Sequence, residues 1–330
     1  VTEDVIIRSS DGAAGDRFGY VALDGDLAVI GAPLDDDNGA DSGSVYLFER
    51  ITGTWTEQAK LLASDGLAND QMGYDVALSG DLALVGISRD ADNGLFSGSA
   101  RVFNVAGATG TVNEFATLLA SDGEQFDRLG STVALSGTTA LVAATGDDDG
   151  GSGAGAVYVY DVGGISGTVN EDDKLLASDA SASDFFGGAI AIWNDLAIIG
   201  AETADGSVGS AGAAYVFERS FGTWSEQLKF FADDGAAFDL FGTSVGLSSA
   251  GVLAGASSDD LDTGAVYAFS VEEIVAAGDH NGDGRSDVLF RNNASGSNQL
   301  YVMDGLTISE NAPVSAVSPD WQAIGRGDYN

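Results

Sequence analysis

The chain has 330 residues, 44% of them hydrophobic, which is enough to bury a core and excludes a disordered chain. It holds no cysteine and one histidine, His280, which excludes disulfides and thiol nucleophiles and argues against a histidine-built zinc site or a Ser–His–Asp triad. With 51 acids against 13 bases the net charge is −38, a surface that repels phosphate backbones and suits divalent cations or a salty medium.

From the amino end, TEDVIIRSSDG (2–12) reads as the last strand of a sheet whose earlier strands are missing. The first full unit follows. Residues 20–23 are a short apolar stretch closed by the turn dipeptide Asp24-Gly25. LAVIGA (27–32) is apolar throughout and too short for a helix, which predicts a strand covered on both faces. An acidic loop, LDDDNGADSG (34–43), leads to GSVYLFER (43–50), where β-branched and aromatic residues favour a third strand. The turn ITGT then gives on to Trp55 and a fourth strand ending in EQAKLLASDG (57–66).

The unit returns. Gly19, Gly73, Gly130, Gly187 and Gly242 recur every 54–57 residues, the mark of a repeat fold. The third strand comes back as GSARVFN (98–104), GAVYVYDV (155–162), GAAYVFER (212–219) and GAVYAFSV (264–271), and the fourth as ATLLASDG, DKLLASDA and LKFFADDG. The fold class is therefore all-β: four-stranded antiparallel blades repeated radially, a β-propeller. Asp16, Asp70, Asp127, Asp184 and Asp239 each stand three residues before the recurring glycine and are expected to fix the turn by an Asx-type hydrogen bond. Lys60, Lys174 and Lys229, the only lysines, share one position on the fourth strand and are expected to guard its edge. Trp55 and Trp224 recur on that strand as a possible sugar-stacking pair; Val112 and Val169 hold the equivalent place in repeats two and three, which favours packing.

From Ile274 the text changes to IVAAGDHNGDGRSDVLFRN. Calcium takes six to eight hard oxygens, and Asp279, Asn281, Asp283, the Arg285 carbonyl and Asp287 alternate as they would in a tight calcium loop turned by Gly284. Phe290 stands where an EF-hand needs glutamate, and the flanks read as strands. His280 is expected to point outward. Asp328 and Asn330 match the first two ligands of another such loop, which is the preferred reading of the Arg326-Gly327-Asp328 tripeptide. Of the acidic loops after each second strand, the first is the best further cation candidate, through Asp35, Asp37 and Asp41; the others are expected to be solvated.

The phrase FGY…LAVIGAP…GSVYLF (18–48) closely resembles the FG-GAP repeat of integrin α-subunit propellers and of many bacterial secreted proteins, over residues 1–271. The resemblance implies a propeller. Integrin-type repeats often carry calcium between the two inner strands, but here that place holds only tight turns such as DGD (24–26) and SGD (79–81), so that calcium is not carried over. Residues 272–330 resemble VCBS-type units of bacterial extracellular proteins. Two arrangements stand open: one ring of six or seven blades, or a five-bladed ring closed by the amino-terminal strand plus a separate carboxy-terminal unit. Both ends fall inside repeats, as in a piece of a longer protein. No signal peptide stands at Val1, so the chain is expected to be a mature piece or one that is not exported.

The expected function is a calcium-stabilised, non-catalytic binding, adhesion or scaffold module of a bacterial surface or secreted protein. Its partner would be a protein or glycan on a cell or extracellular surface, within a larger surface assembly, with no nucleic acid and no membrane insertion. A carbohydrate-binding propeller and an accessory domain of a secreted hydrolase are the alternatives. Among 51 acids carboxylate pairs arise everywhere and none is singled out for acid–base catalysis.

Overall fold

The structure is a computed structural model that describes residues 5–206, 208–259 and 263–269, and beyond them the backbone of residues 277–278, 287–291, 298–304 and 307–314. Every element described is a β-strand. The chain divides into two compact units, residues 1–247 with 253–267, and residues 248–252 with 268–330.

The first repeat forms an antiparallel sheet of β1 (Tyr20–Asp24), β2 (Leu27–Ala32), β3 (Ser44–Ile51) and β4 (Thr54–Leu62), in that order. The second repeat gives β5 (Val76–Ser79), β6 (Leu82–Ile87), β7 (Ser99–Asn104), β8 (Gly110–Asn113) and β9 (Ala116–Leu119). The third gives β10 (Leu129–Ser136), β11 (Thr139–Ala144), β12 (Ala156–Asp161), β13 (Gly167–Asn170) and β14 (Asp173–Leu175). The fourth gives β15 (Ala189–Trp193), β16 (Leu196–Ala201), β17 (Ala213–Ser220) and β18 (Thr223–Phe230). β19 (Phe241–Ser248), β20 (Gly251–Ala256) and β21 (Ala265–Phe269) form a further three-stranded sheet.

The second strand of each of the first four sheets is almost wholly apolar because both of its faces are covered, whereas Leu253 of β20 is exposed. Val29 of β2 packs with Val76 and Val85 of the second sheet, while Leu84 packs with Val142 and Tyr158 of the third. Leu141 and Val157 then pack with Ile199 and Tyr215 of the fourth. The core is thus a series of apolar layers between consecutive sheets, each sealed by long-range contact (burial of one such side chain contributes roughly 1.5–3 kcal/mol).

The outer strand departs from expectation in two repeats. Sheets one and four carry the predicted single strand, with a bulge in its pairing at Leu47/Phe48 and Val216/Phe217. In repeats two and three that strand is broken. β8 leaves its own sheet and pairs in parallel with β4, from Ala59↔Gly110 to Leu62↔Asn113. β13 pairs in parallel with β9 in the same way. Both displaced segments read Gly-Thr-Val-Asn. Val112 and Val169 pack against the layers beneath, and Asn113 Nδ2 donates to the Leu62 carbonyl at 3.1 Å. The predicted amino-terminal strand is not formed in residues 5–12, and among the described residues β21 keeps an unpaired outer edge.

The second unit carries β22 (Ala277–Gly278), β23 (Asp287–Arg291), β24 (Asn298–Asp304) and β25 (Thr307–Val314), an antiparallel sheet in chain order.

Candidate functional site

An antiparallel run of four strands returns to the end from which it started. The acidic loop between strands two and three therefore shares one end of the sheet with the loops that enter and leave it. There Tyr46 of β3 and Lys60 of β4 stand opposite one another. The Lys60 ammonium lies 3.0 Å from Asp11 and 3.1 Å from Asp35, and it also pairs with Asp37. It sits 4.8 Å from the centre of the Tyr46 ring, whose hydroxyl bridges Asp11 at 2.8 Å and Asp35 at 2.7 Å. Lys60 and Asp35 are both buried.

The third repeat repeats this clasp with Lys174 on Asp122, Asp147 and Asp149 at 2.7–2.9 Å, beneath Tyr158. The second repeat exchanges the partners. Arg101 takes the tyrosine position and Thr117 the lysine position opposite it. The Arg101 guanidinium, 1% exposed, pairs with Asp90 at 2.8 Å, Asp65 at 3.1 Å and Asp92 at 3.5 Å. In the fourth repeat Lys229 keeps Asp179 at 2.7 Å and donates to the Asp205 carbonyl at 2.7 Å, with Ala204 and Gly206 where earlier repeats place carboxylates. In the fifth, Tyr267 donates to Asp234 at 2.8 Å.

These cations therefore correct two expectations. The lysines do not guard an exposed edge, and Asp35, Asp90 and Asp147 are not solvated but buried. A desolvated ammonium or guanidinium is tolerable only among counter-charges, and each clasp supplies them. A second contact locks the same turns. The Ser10 N–H and hydroxyl both donate to the Glu57 carboxylate at 2.8 Å. Ser64 does so to Glu114, Ser121 to Glu171 and Ser178 to Glu226. The turns leaving the first three sheets are thus each gripped by the next sheet at two points, while the turn leaving the fourth has Asp233 in the serine position and is held through Asp234.

A family model described as FG-GAP repeat matches residues 1–48, 55–103, 112–160, 169–217 and 224–269. The chain belongs to the FG-GAP repeat family. Among curated proteins no match is found. The FG-GAP unit is offset from the sheet by one strand: the second match opens at Trp55 on β4 and closes at Phe103 on β7. The aspartate of each exit turn therefore reaches a tyrosine or cation of its own FG-GAP unit, while the serine beside it reaches a glutamate of the next.

The glycines that name the FG-GAP motif meet across sheets. A Cβ on Gly31 would lie 2.0 Å from the Gly73 carbonyl oxygen, and one on Gly86 would lie 2.1 Å from that of Gly130. The aspartates before the entry glycines do fix the turns, but by reaching backward. Asp16, Asp70, Asp127, Asp184 and Asp239 each accept the N–H three residues earlier, at 2.6–2.8 Å.

Of the predicted metal ligands, Asp279, Asn281, Asp283, Arg285, Asp328 and Asn330 lie outside the described residues, as does His280. Asp287 opens β23 and its backbone pairs with Gly278, so the two ends of the calcium-type loop run side by side. Its donor set of carboxylates, an amide and a carbonyl fits a hard cation. Asp35 and Asp37 do converge, but on Lys60, while the Asp41 N–H donates to Asp36 at 2.8 Å. Among the described residues no group of three or more acids is placed to hold a metal ion. The inner-strand turns are tight, as in Asp24↔Leu27 and Ser79↔Leu82. The two tryptophans are used internally: Trp224 is in the core, Trp55 packs on the first sheet, and Arg219 and Arg50 lie 5.6 Å above their rings.

Burial raises Asp70, Asp75 and Asp127 to about 6, partly offset by backbone N–H donors. Burial also pushes Asp11 and Asp122 upward, but hydrogen bonds from tyrosine and lysine, with the lysine charge, hold both below the ordinary carboxylate range. A raised carboxylate contributes stability that is full below pH ~4 and lost as pH rises through ~6, whereas a lowered one loses its contribution only as pH falls below ~4. Thermal stability is therefore expected to be higher at pH 4.5 than at pH 7. Asp75→Asn, which can still accept the Val133 N–H that Asp75 binds at 2.7 Å, should flatten that slope and stabilise at pH 7 by on the order of 2 kcal/mol. Melting curves at both pH values check it, and an Asp75→Asn protein with the parent's slope would remove Asp75 as its source.

Proposed function

We propose that the chain is a calcium-stabilised, non-catalytic binding or scaffold module of an extracellular bacterial protein, built as a β-propeller of six or seven blades. The observation that carries the binding reading is the loop end of the sheets. Clasps hold the loops of the first four repeats there, yet the loops at this end expose Leu67, Leu95, Phe126, Phe185 and Phe238. A rigid scaffold presenting ordered, partly apolar loop tips is how loop-borne recognition is built.

The propeller reading is supported by matched positions. Val21 of the first sheet is 67% exposed, while Val76 and Val133 at the same place in the next two are 6% and 5%. At the other end Leu253 is 52% and Val266 69% exposed, while the corresponding Val29 and Val45 are 0%. Both end faces have the chemistry of sheets awaiting a neighbouring blade. A ring of six or seven blades in electron micrographs supports this count; five blades with an appendage supports the alternative.

The calcium reading rests on the loop at residues 279–287. Millimolar external calcium would fill a weak site of this type that cytosolic calcium would not. Chelation with EDTA is expected to lower the melting temperature by several degrees, restored by calcium and abolished by Asp283→Ala. A melt indifferent to EDTA would remove calcium from the proposal. A glycan partner is the second reading.

A further inference from the structure

An open cavity of about 460 Å³ lies where the entry loop of the third sheet, the β11–β12 loop and the entry loop of the fourth sheet meet. Gln125, Phe126, Arg128, Asp148, Ser152 and Phe185 line it. Its size falls in the range of small-ligand sites, on the order of 300–1,000 Å³.

Two features of this cavity are not explained by folding. Phe126 and Phe185 are 50% and 40% exposed although both rings could serve a core. Their backbone, with that of Arg128, is left-handed at φ of 72°, 52° and 60°, as it is at the matching turn positions of the other repeats, such as Asn69, Gln71 and Leu240. That conformation costs a bulky residue roughly 1–2 kcal/mol; the first, second and fourth repeats fill the Phe126 position with Gly15, Asn69 and Ser183, while the fifth again places a phenylalanine there, Phe238. Phe96 backs Phe126 edge-on at 6.0 Å and so holds the ring in place. Finally, the Arg128 guanidinium makes no hydrogen bond or ion pair with a described residue, in a protein with 51 acids.

The lining selects a ligand chemistry. One guanidinium and one carboxylate leave the wall near neutral. An anion would be repelled by the surrounding charge of −38, and a cation, although drawn by that charge, would meet the Arg128 guanidinium in the wall. What remains is an uncharged molecule with an apolar face for the phenyl rings and a hydroxyl-bearing edge. The guanidinium, the amide of Gln125, the Ser152 hydroxyl and the Asp148 carboxylate are the donors and acceptors for that edge. Asp148 already accepts the Gly153 N–H at 2.6 Å, which orients its carboxylate. We infer that this cavity binds a neutral glycan of one or two sugar rings. The inference rests on the reading of the chain as a binding module and names its ligand.

The test is a printed array of neutral and charged glycans probed with the full chain in calcium and in EDTA. Calorimetric titration with maltose, cellobiose, lactose and diacetylchitobiose follows. Phe126→Asn and Phe185→Asn relieve the left-handed strain, so their melting temperatures should equal or exceed that of the parent; Arg128→Gln is a surface change. Binding of a neutral glycan, weakened at least about tenfold (1.4 kcal/mol) by each of the three variants, is the expected result. The inference is overturned if no neutral glycan binds, if binding ignores the three variants, or if only charged glycans or basic peptides bind. The module reading falls separately, when neither glycans nor extracellular proteins bind at all, and the calcium reading is judged by the EDTA melt alone.

Discussion

Arg101→Met is expected to cost about 3–5 kcal/mol at pH 7, the largest loss of any single clasp residue. Arg101 is 1% exposed and faces Asp90, Asp65 and Asp92. Methionine keeps much of the side-chain volume but removes the charge, leaving the buried Asp90 without its counter-ion. Removing one partner of a buried pair is costly because the other charge stays desolvated; removing both is far cheaper. Arg101→Met combined with Asp90→Asn should therefore recover much of the loss. The deficit should also shrink toward pH 4, where the stranded carboxylates can take up protons. Chemical denaturation of the parent, the single and the double variant at pH 7 and pH 4.5 decides it. A single variant as stable as the parent at pH 7 would show that Arg101 does not hold the second sheet's loops. The corresponding loss in Lys229→Met should be smaller, because the fourth repeat supplies only Asp179 and a carbonyl.

The sheets and their order were legible from the sequence because they rest on local patterns. LAVIGA and LAIIGA are apolar at every position, which only a strand covered on both faces explains, and β2 and β16 are that strand. The displaced β8 was not legible. Its Gly-Thr-Val-Asn has the same strand propensity in either sheet; it opens on a left-handed Gly110 and lies on the outer edge of β4, neither of which propensity encodes. The clasps were hidden for a different reason. Lys60 and its partners Asp11 and Asp35 are 49 and 25 residues apart, in a chain so acidic that burial of any one carboxylate is not marked by composition. A signal was present all the same. Lys60 and Lys174 recur in register with Ser-Asp-Gly and Asp-x-Asp, and the second repeat, which keeps both motifs but has Thr117 in the lysine position, carries an arginine on the facing strand, at Arg101. Compensation of that kind marks a buried charge, since a solvated edge lysine needs no substitute.

Gly73→Ala is expected to separate the first two sheets and cost about 3 kcal/mol, from two independent sources. Gly73 has φ of +93°, where an L side chain is strained by roughly 1–2 kcal/mol. Its added Cβ would also lie 2.9 Å from the Ser44 carbonyl oxygen and 2.9 Å from a Val45 methyl, an overpacking that typically costs about 1–3 kcal/mol. Neither neighbour can yield, because Ser44 and Val45 open β3 and are fully buried. Gly53 is the control. It has a similar φ of +86° but nothing within 4 Å of its added Cβ, so Gly53→Ala should show the backbone cost alone. The difference between the two variants in urea denaturation isolates the contact between sheets. The junction between the third and fourth repeats shows where the limit lies: Ala143 stands where the others have glycine, and the opposing residue is still Gly187, whose added Cβ would lie 2.8 Å from the Ala143 methyl. One methyl can be seated at such a junction when the sequence has spaced the sheets for it, but not two. Equal losses in Gly73→Ala and Gly53→Ala would mean that the motif glycines serve the turn only and that the close approach between sheets carries no energetic weight.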